Sequence, residues 1–372
     1  MSISILRGGF YSRLPVNASR YTHFSFSTIR LIVSAKNYQS MKELSYSVVI
    51  RTLGNTGLKY KALLDSIAKQ TIQPEEIIVV IPEGYELDNS LGNERVVRCK
   101  KGMTTQRAIG IKEAKSDYIL VVDDDIEFEA TMIEELYQYM IANNLNCCLP
   151  MQGVNNDKDT NTIDLRYPLK TRLRSGFTGQ MFTSRRKSKY LDVLTLAAGH
   201  KVYINSNNLD TCYLCTTACF QCFFIETKWA KAAHYEEETW LEEGSYTSYS
   251  GYDEPVFFSK LNKHGLRMAY ALRTRYKHLD AGAGHKTKSK LEDKSLRYFS
   301  IARNRTVYWY RFIYLYQTSW FNKIRALFWG LYSFVNWTSW TIIINCHPKY
   351  FKSLKYMCLG YKEAFALIRS RK

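Results

Sequence analysis

Three carboxylates stand in a row at Asp123-Asp124-Asp125, directly after the apolar run of residues 118–122. Neighbouring carboxylates repel one another, and a divalent cation that bridges them to diphosphate oxygens is one way to hold such charge. Oxygen ligands of this kind suit Mg2+ or Mn2+. The plainer alternative is that Asp124 and Asp125 only cap a helix around residues 130–140, since acids favour helix starts. A second acidic group lies in Gly251-Tyr252-Asp253-Glu254-Pro255. Proline suits a first helical position, so Asp253 and Glu254 read as the N-terminus of a helix through Phe257, Phe258 and Leu261. The helix dipole favours an ionised carboxylate there, which is the state a general base needs. A plain N-cap is the competing reading.

Histidine and cysteine supply further candidates. His278 ends a strand-like run, and imidazole suits Mn2+, although a lone histidine is more often structural. His285 falls in a Gly- and Lys-rich stretch, residues 281–290, that reads as a lid. Cys212, Cys215, Cys219 and Cys222 form two C-x-x-C pairs, but only three residues separate the pairs, too few for an ordinary four-thiolate zinc site. Their spacing also fits one helical face, and buried small hydrophobes are the preferred reading. The cysteines number nine, an odd set in a long chain, which argues against a disulfide framework and for a reducing compartment.

The elements that must position these residues alternate. Residues 46–52 form a β-branched run, and residues 58–70 have helical spacing. Strands at 77–81 and 95–99, a helix at 104–115 and a strand at 118–122 follow. Such alternation predicts an α/β domain with a parallel sheet, in which ligands bind at the carboxyl ends of the strands. Those ends carry Arg51, Thr52 and Asn55, then Pro82, Glu83 and Gly84, then the acidic triplet.

In this order the sequence resembles glycosyltransferase family 2. The likeness rests on Ser47-Val48-Val49-Ile50-Arg51-Thr52 and Ile77-Ile78-Val79-Val80 as opening strands, Gln106-Arg107-Ala108-Ile109-Gly110, and the run ending in Asp125; it spans roughly residues 45–310. The resemblance implies the GT-A fold, a Rossmann-like nucleotide-binding sheet with helices on both faces. It also implies an inverting transferase that moves a sugar from a nucleotide-sugar donor to a saccharide or lipid-linked acceptor, as in cell-surface polysaccharide synthesis. On that basis Thr52 and Glu83 lie near the base, Arg107 near the nucleotide, and Asp123 and Asp124 around the ribose. Asp125 ligates Mg2+ or Mn2+, and His278 reaches the metal or the phosphates. Asp253 is the general base, with Glu254 as the fallback. The sequence departs from the family pattern in Arg51 for proline, in Pro82-Glu83-Gly84 for Asp-Asp-Gly, and in Ala108 for asparagine. An aromatic run, Trp229, Tyr235, Trp240, Tyr246, Tyr249 and Tyr252, offers faces for stacking on an acceptor sugar, or ordinary loop packing. Residues 298–305 resemble a family element that closes in Arg-Asn and whose arginines face phosphate; a solvated helix end explains it as well.

The expected organisation is an extension over residues 1–44, a catalytic domain over 45–305 with halves at 45–154 and 155–305, and a basic aromatic helical tail over 306–372. Residues 1–40 hold no acid, five Arg or Lys and eight Ser, which suits a transit peptide, a disordered extension or a miscalled start with Met41 as the first residue. The chain carries a formal +18, and residues 301–372 hold twelve Lys or Arg against one acid, Glu363. Residues 326–346 carry no charge yet include several polar side chains. The preferred reading is therefore a tail that lies on anionic lipid at the cytoplasmic face of the plasma (inner) membrane, with Lys349, Lys352, Lys355, Arg369, Arg371 and Lys372 attracted to it. A single span is the alternative. Two other functions stand against the transferase. A sugar nucleotidyltransferase lacks its Gly- and Arg-rich loop here, and a non-enzymatic nucleic-acid binder lacks any recognisable reading motif.

Overall fold

The computed structural model describes residues 44–153, 192–198, 200–201, 212–246, 251–279, 290–344 and 351–370. His285, Tyr249, Lys349, Arg371, Lys372 and the expected extension before Leu44 lie outside them. The strands are β1 (Tyr46–Arg51), β2 (Glu76–Pro82), β3 (Arg95–Cys99), β4 (Tyr118–Asp123), β5 (Ile126–Phe128), β6 (Cys147–Gln152), β7 (Asp192–Val193), β8 (His200–Lys201), β9 (Tyr213–Cys215), β10 (Cys222–Glu226) and β11 (Met268–His278). The α-helices are α1 (Leu58–Ala68), α2 (Met103–Glu113), α3 (Met132–Asn143), α4 (Thr227–Ala232), α5 (Asp253–Lys263), α6 (Lys290–Tyr308), α7 (Trp320–Ile344) and α8 (Phe351–Ser370). A 3-10 turn at Tyr235–Leu241 and a π-helical turn at Trp309–Tyr314 complete the description.

The main sheet runs β3-β2-β1-β4-β10-β6-β11-β5, with β9 also paired to β11. Its first four strands are parallel, as the alternation predicts. The second half is mixed, because β10 runs antiparallel to β4 and β6, and β5 runs antiparallel to β11. The sheet is therefore mixed where a parallel one was expected. Central β1 and β4 are apolar runs buried along their length, as suits strands covered on both faces. Edge strand β3 instead alternates, with Val96 and Arg98 exposed.

Helix α2 lies tightly against β1 and β2 through Gly110. A Cβ added there would stand 2.3 Å from Val49 Cγ1 and 3.1 Å from Val80 Cγ2. Gln106, one turn earlier on α2, donates from Nε2 to Thr52 O and Val80 O, both at 2.8 Å. The helix is thus tied to the ends of the two strands it crosses. Helix α5 is fixed by aromatic packing: the Phe257 and Phe258 rings lie 5.9 and 5.7 Å from Phe223 of β10, and Phe257 lies 5.0 Å from Phe220. Because β10 neighbours β4, this packing brings the start of α5 to the end of β4.

Strand β11 is irregular. Ala271 pairs with Pro150 and Arg275 with Met151, so residues 272–274 have no partner in β6. Pro150 has no N–H for the ladder, which suits an interruption at that point. Thr274 within the irregularity donates to Glu135 Oε2 of α3 at 2.8 Å. Leu44–Lys372 form one compact unit, and α6 runs unbroken across residues 305 and 306.

Gly110→Ala tests the α2 contact, because a methyl group must displace Val49. An overpacking cost of about 1–3 kcal/mol is expected, read as a lower urea midpoint at unchanged m-value.

Candidate active site

The carboxyl ends of β1 and β4 lie side by side, with Arg51 in register with Asp123. Arg51 Nη2 stands 3.0 Å from Asp123 Oδ1 and its Nε donates to the same oxygen at 3.2 Å. Arg107, reaching in from α2, places Nη2 at 3.0 Å from Asp123 Oδ1 and Nη1 at 2.7 Å from Asp253 Oδ2. One buried guanidinium therefore joins the end of β4 to the start of α5. The Arg107 side chain is 3% exposed, its guanidinium carbon lies 4.7 Å from the centre of the Phe220 ring, and its Nε has no hydrogen-bond partner. Burial would raise the Asp123 pKa, but Arg51 and Arg107 outweigh it and hold the carboxyl below the usual carboxylate range. Burial opposes the charge on Arg107 too, yet Asp123 and Asp253 overcome it and raise its pKa.

The helix that carries Arg107 is capped from a distance. Its N-terminal Gly102 has no side chain to do so, and Glu242 serves instead, accepting Thr104 N at 2.5 Å and Thr105 Oγ1 at 2.8 Å. A Cβ on Gly102 would fall 2.1 Å from Glu242 Oε2, so the glycine is what lets the carboxylate approach. Neither Glu242 nor the arginine bridge is visible as a motif, because each joins residues more than a hundred positions apart.

The three acids of the triplet have separate partners. Asp124 Oδ2 accepts Thr52 Oγ1 at 2.5 Å and Thr56 Oγ1 at 3.4 Å, and burial pushes its pKa up to about 6. Asp125 Oδ2 lies 3.2 Å from His278 Nε2. That pair is formed by the β5–β11 ladder, which sets His278 against Ile126, while Asp125 O accepts Leu279 N at 2.7 Å. Asp123 thus faces arginines and Asp124 threonines, and Asp125 is the member of the triplet that stands beside a histidine. Among the described residues no group of three or more His, Cys, Asp or Glu is placed to hold a metal ion. Asp125 and His278 nevertheless fit one as a two-donor set. Their donor atoms are separated by close to the ~3 Å edge of an octahedron with 2.0–2.1 Å bonds, and such ions usually complete their shell with substrate phosphate and water.

The acidic pair opens α5 as expected, but the helix begins at Asp253 itself, so Pro255 is its third residue, still within the turn where no N–H is needed. Tyr252 precedes it with φ +81°, uncommon for a residue with a side chain. This turn is held from α6, where Asn304 Nδ2 donates to Gly251 O at 3.0 Å and Tyr308 packs 5.4 Å from the Tyr252 ring. Asp253 is buried, and burial raises its pKa against the opposing pull of Arg107. Glu254 is half-buried and faces the turn before β10, with Oε1 3.5 Å from both Cys219 Sγ and Phe220 N. Burial, with Asp253 adding to it, pushes the Glu254 pKa up to about 7.

Thr52, Arg107, the triplet, His278 and the Asp253-Glu254 pair thus form a connected group. Glu83 stands exposed in the turn after β2, two strands from β4, where its backbone N–H bonds Cys99 O at 2.9 Å. Three expectations need correction. Trp240 and Tyr235 are fully buried and cannot stack on a sugar; Trp240 Nε1 donates to Glu238 Oε2 at 2.5 Å. Arg303 is also buried, bonded to Trp240 O and Glu363, so it braces the fold instead of facing phosphate. The four clustered cysteines share no helix: Cys212 and Cys215 belong to β9 and its approach, Cys219 to the loop before β10 and Cys222 to β10, and none is in a disulfide.

The acidic strand ends of the α/β sheet thus meet a second acidic helix start. The glycosyl transferase family 2 model matches residues 85–204, a span that includes Arg107 and the triplet, and this match indicates a glycosyltransferase. No curated protein sequence matches it. Among solved structures it is similar to the crystal structure of S. aureus TarS, at 16% identity and TM-score 0.42, covering 77% of this chain and 43% of that one. It is also similar to S. aureus TarS 1-349, at 13% identity and TM-score 0.40, covering 88% and 92%. A third is GalNAc-T7 with UDP, GalNAc and Mn2+, at 16% identity and TM-score 0.39, covering 72% and 50%. Likenesses this slight decide nothing about the chemistry of this chain.

Arg107→Met removes the cation shared by Asp123 and Asp253. The expected cost is about 3–5 kcal/mol in urea unfolding, because buried carboxylates lose their partner. In a double-mutant cycle, adding Asp253→Asn recovers part of that loss.

Proposed function

We propose that the enzyme transfers a sugar, with inversion, from a nucleotide-sugar donor to a hydroxyl of a saccharide or lipid-linked acceptor, in the assembly of a cell-surface polysaccharide. The observation that carries this reading is the Asp123–Arg107–Asp253 bridge, which holds the Asp253-Glu254 pair beside the strand ends where a donor diphosphate would lie. Single displacement needs one general base and no protein nucleophile. The acceptor oxygen bonds to the anomeric carbon, the bond from that carbon to the diphosphate breaks, and the acceptor proton passes to a carboxylate.

Glu254 is the better base of the pair. Asp253 spends its charge on Arg107 and is buried, which makes it a positioning residue; Glu254 is reachable, and a pKa near 7 matches the task of taking a proton at neutral pH. Thr52 and Asp124 would face the nucleoside, and Arg51 adds positive charge where the diphosphate departs. A Mg2+ or Mn2+ ion held by Asp125 and His278 would neutralise the leaving diphosphate.

Glu254→Gln should lower kcat by 10²–10⁴-fold with donor affinity retained. Retained turnover there, with loss in Asp253→Asn, would return the base to Asp253. Wild-type kcat/KM should rise with pH through about 7 as Glu254 ionises. Stability runs the other way: the folded-state pKa lies above the ordinary 4.5, so the contribution is complete below that value and is lost as pH rises through about 7. Glu254→Gln should therefore melt higher than wild type above pH 7 and show no such advantage in acid. Thermal shifts across UDP, GDP, dTDP and CMP, with and without Mn2+, test the reading as a whole. One nucleotide should raise Tm, and more so with Mn2+ in wild type than in His278→Ala; no response to any of them would refute it.

A further inference from the structure

Helix α7 turns one face inward and leaves another uncovered. Inward, Gly330 sits on Trp309 of the π-helical turn, and Phe334 packs on Tyr361 of α8 with ring centres 4.5 Å apart. Outward, Trp320, Ile324, Phe328, Leu331, Val335 and Ile342 follow one another at helical spacing and are all exposed, Trp320 by 73% and Phe328 by 61%. Large contiguous apolar faces of this kind mark an interaction surface in a soluble fold. No helix among the described residues is long and apolar enough to cross a membrane.

Helix α8 shows what the face meets. Its inner side is locked on α6 through Gly360, where a Cβ would fall 2.4 Å from Phe299 O. Its outer side is a second stripe at helical spacing, Phe351, Lys352, Lys355, Lys362, Phe365 and Arg369, all exposed. Residues 294–362 hold no Asp or Glu at all, and Glu363 is occupied by Arg303 at 2.7 Å. A second copy of this chain would bring like charge against like charge at these stripes. An anionic bilayer presents the complement: phosphate charge for the lysines and an acyl boundary for the aromatic and aliphatic ridge.

We propose that the outer faces of α7 and α8 together form a platform that docks the enzyme peripherally on an anionic lipid surface, with the α7 ridge seated in the headgroup–acyl boundary and the α8 lysines over lipid phosphate. The platform is separate from the transfer chemistry, and vesicle binding reads it without turnover.

The test is flotation of the full chain with vesicles of phosphatidylcholine alone or mixed with phosphatidylglycerol. Binding is expected only to the mixed vesicles and should fall as salt rises. Phe328→Glu with Leu331→Glu, both on the exposed face, should reduce binding at least tenfold with Tm unchanged. Lys352→Glu with Lys355→Glu and Lys362→Glu should reduce it comparably and abolish the salt response. Equal binding to both vesicle types, no binding to either, or wild-type binding by both variants would overturn the proposal. So would a stable dimer in sedimentation that Phe328→Glu dissociates.

Discussion

The site depends on one buried guanidinium. Arg107 has one carboxylate from the end of β4 and one from the start of α5 and little contact with water, so these elements cannot separate without stranding charge in a low-dielectric interior. Lysine could not replace it, since a point charge cannot bond two carboxylates that lie on different sides of a planar fork. Around this contact the other features have evident purposes. Glu242 caps the helix that aims Arg107, Gln106 pins that helix to two strand ends, and Phe220 covers the guanidinium face. The aromatic cluster of β10 and α5 keeps Asp253 within reach.

The acidic residues of the site divide by environment. Asp123, held by two arginines, stays ionised; Asp124, buried beside threonines, titrates higher; Glu254, half-buried and crowded by Asp253, titrates higher still. Carboxylates with such unequal proton affinity within one site can hold structure, accept hydrogen bonds and move protons without competing for a single role. Chain order alone does not assign these roles, because all depend on what lies across the cleft.

Much of the fold was legible in the sequence, and the reason is periodicity. The first six elements could be read from apolar spacing, and the acidic triplet and acidic pair could be read because each is contiguous. Other features required the chain to fold. The β10 strand runs antiparallel, which no local pattern reveals, and Trp240 is buried in an acidic, tyrosine-rich stretch that reads as surface. Arg51 was visible as a strand-end residue and as a departure from a family pattern; its pairing with Asp123 follows from the strand register. The different partners of Asp253 and Glu254 were also unreadable, since an arginine from 146 positions away sets the two apart.

The gap in the β6–β11 ladder has a consequence for the histidine. Tyr270 pairs with Leu149 and Tyr276 with Gln152, so the spacing is even on β11 and odd on β6. Neighbouring side chains in a pleated strand point to opposite sides, and the unpaired residues 272–274 form the bulge that absorbs this mismatch between the two strands. The bulge sets the register of the outer part of β11, His278 included. A deletion or insertion of one residue there would leave the core half of β11 in place while the imidazole faced away from Asp125.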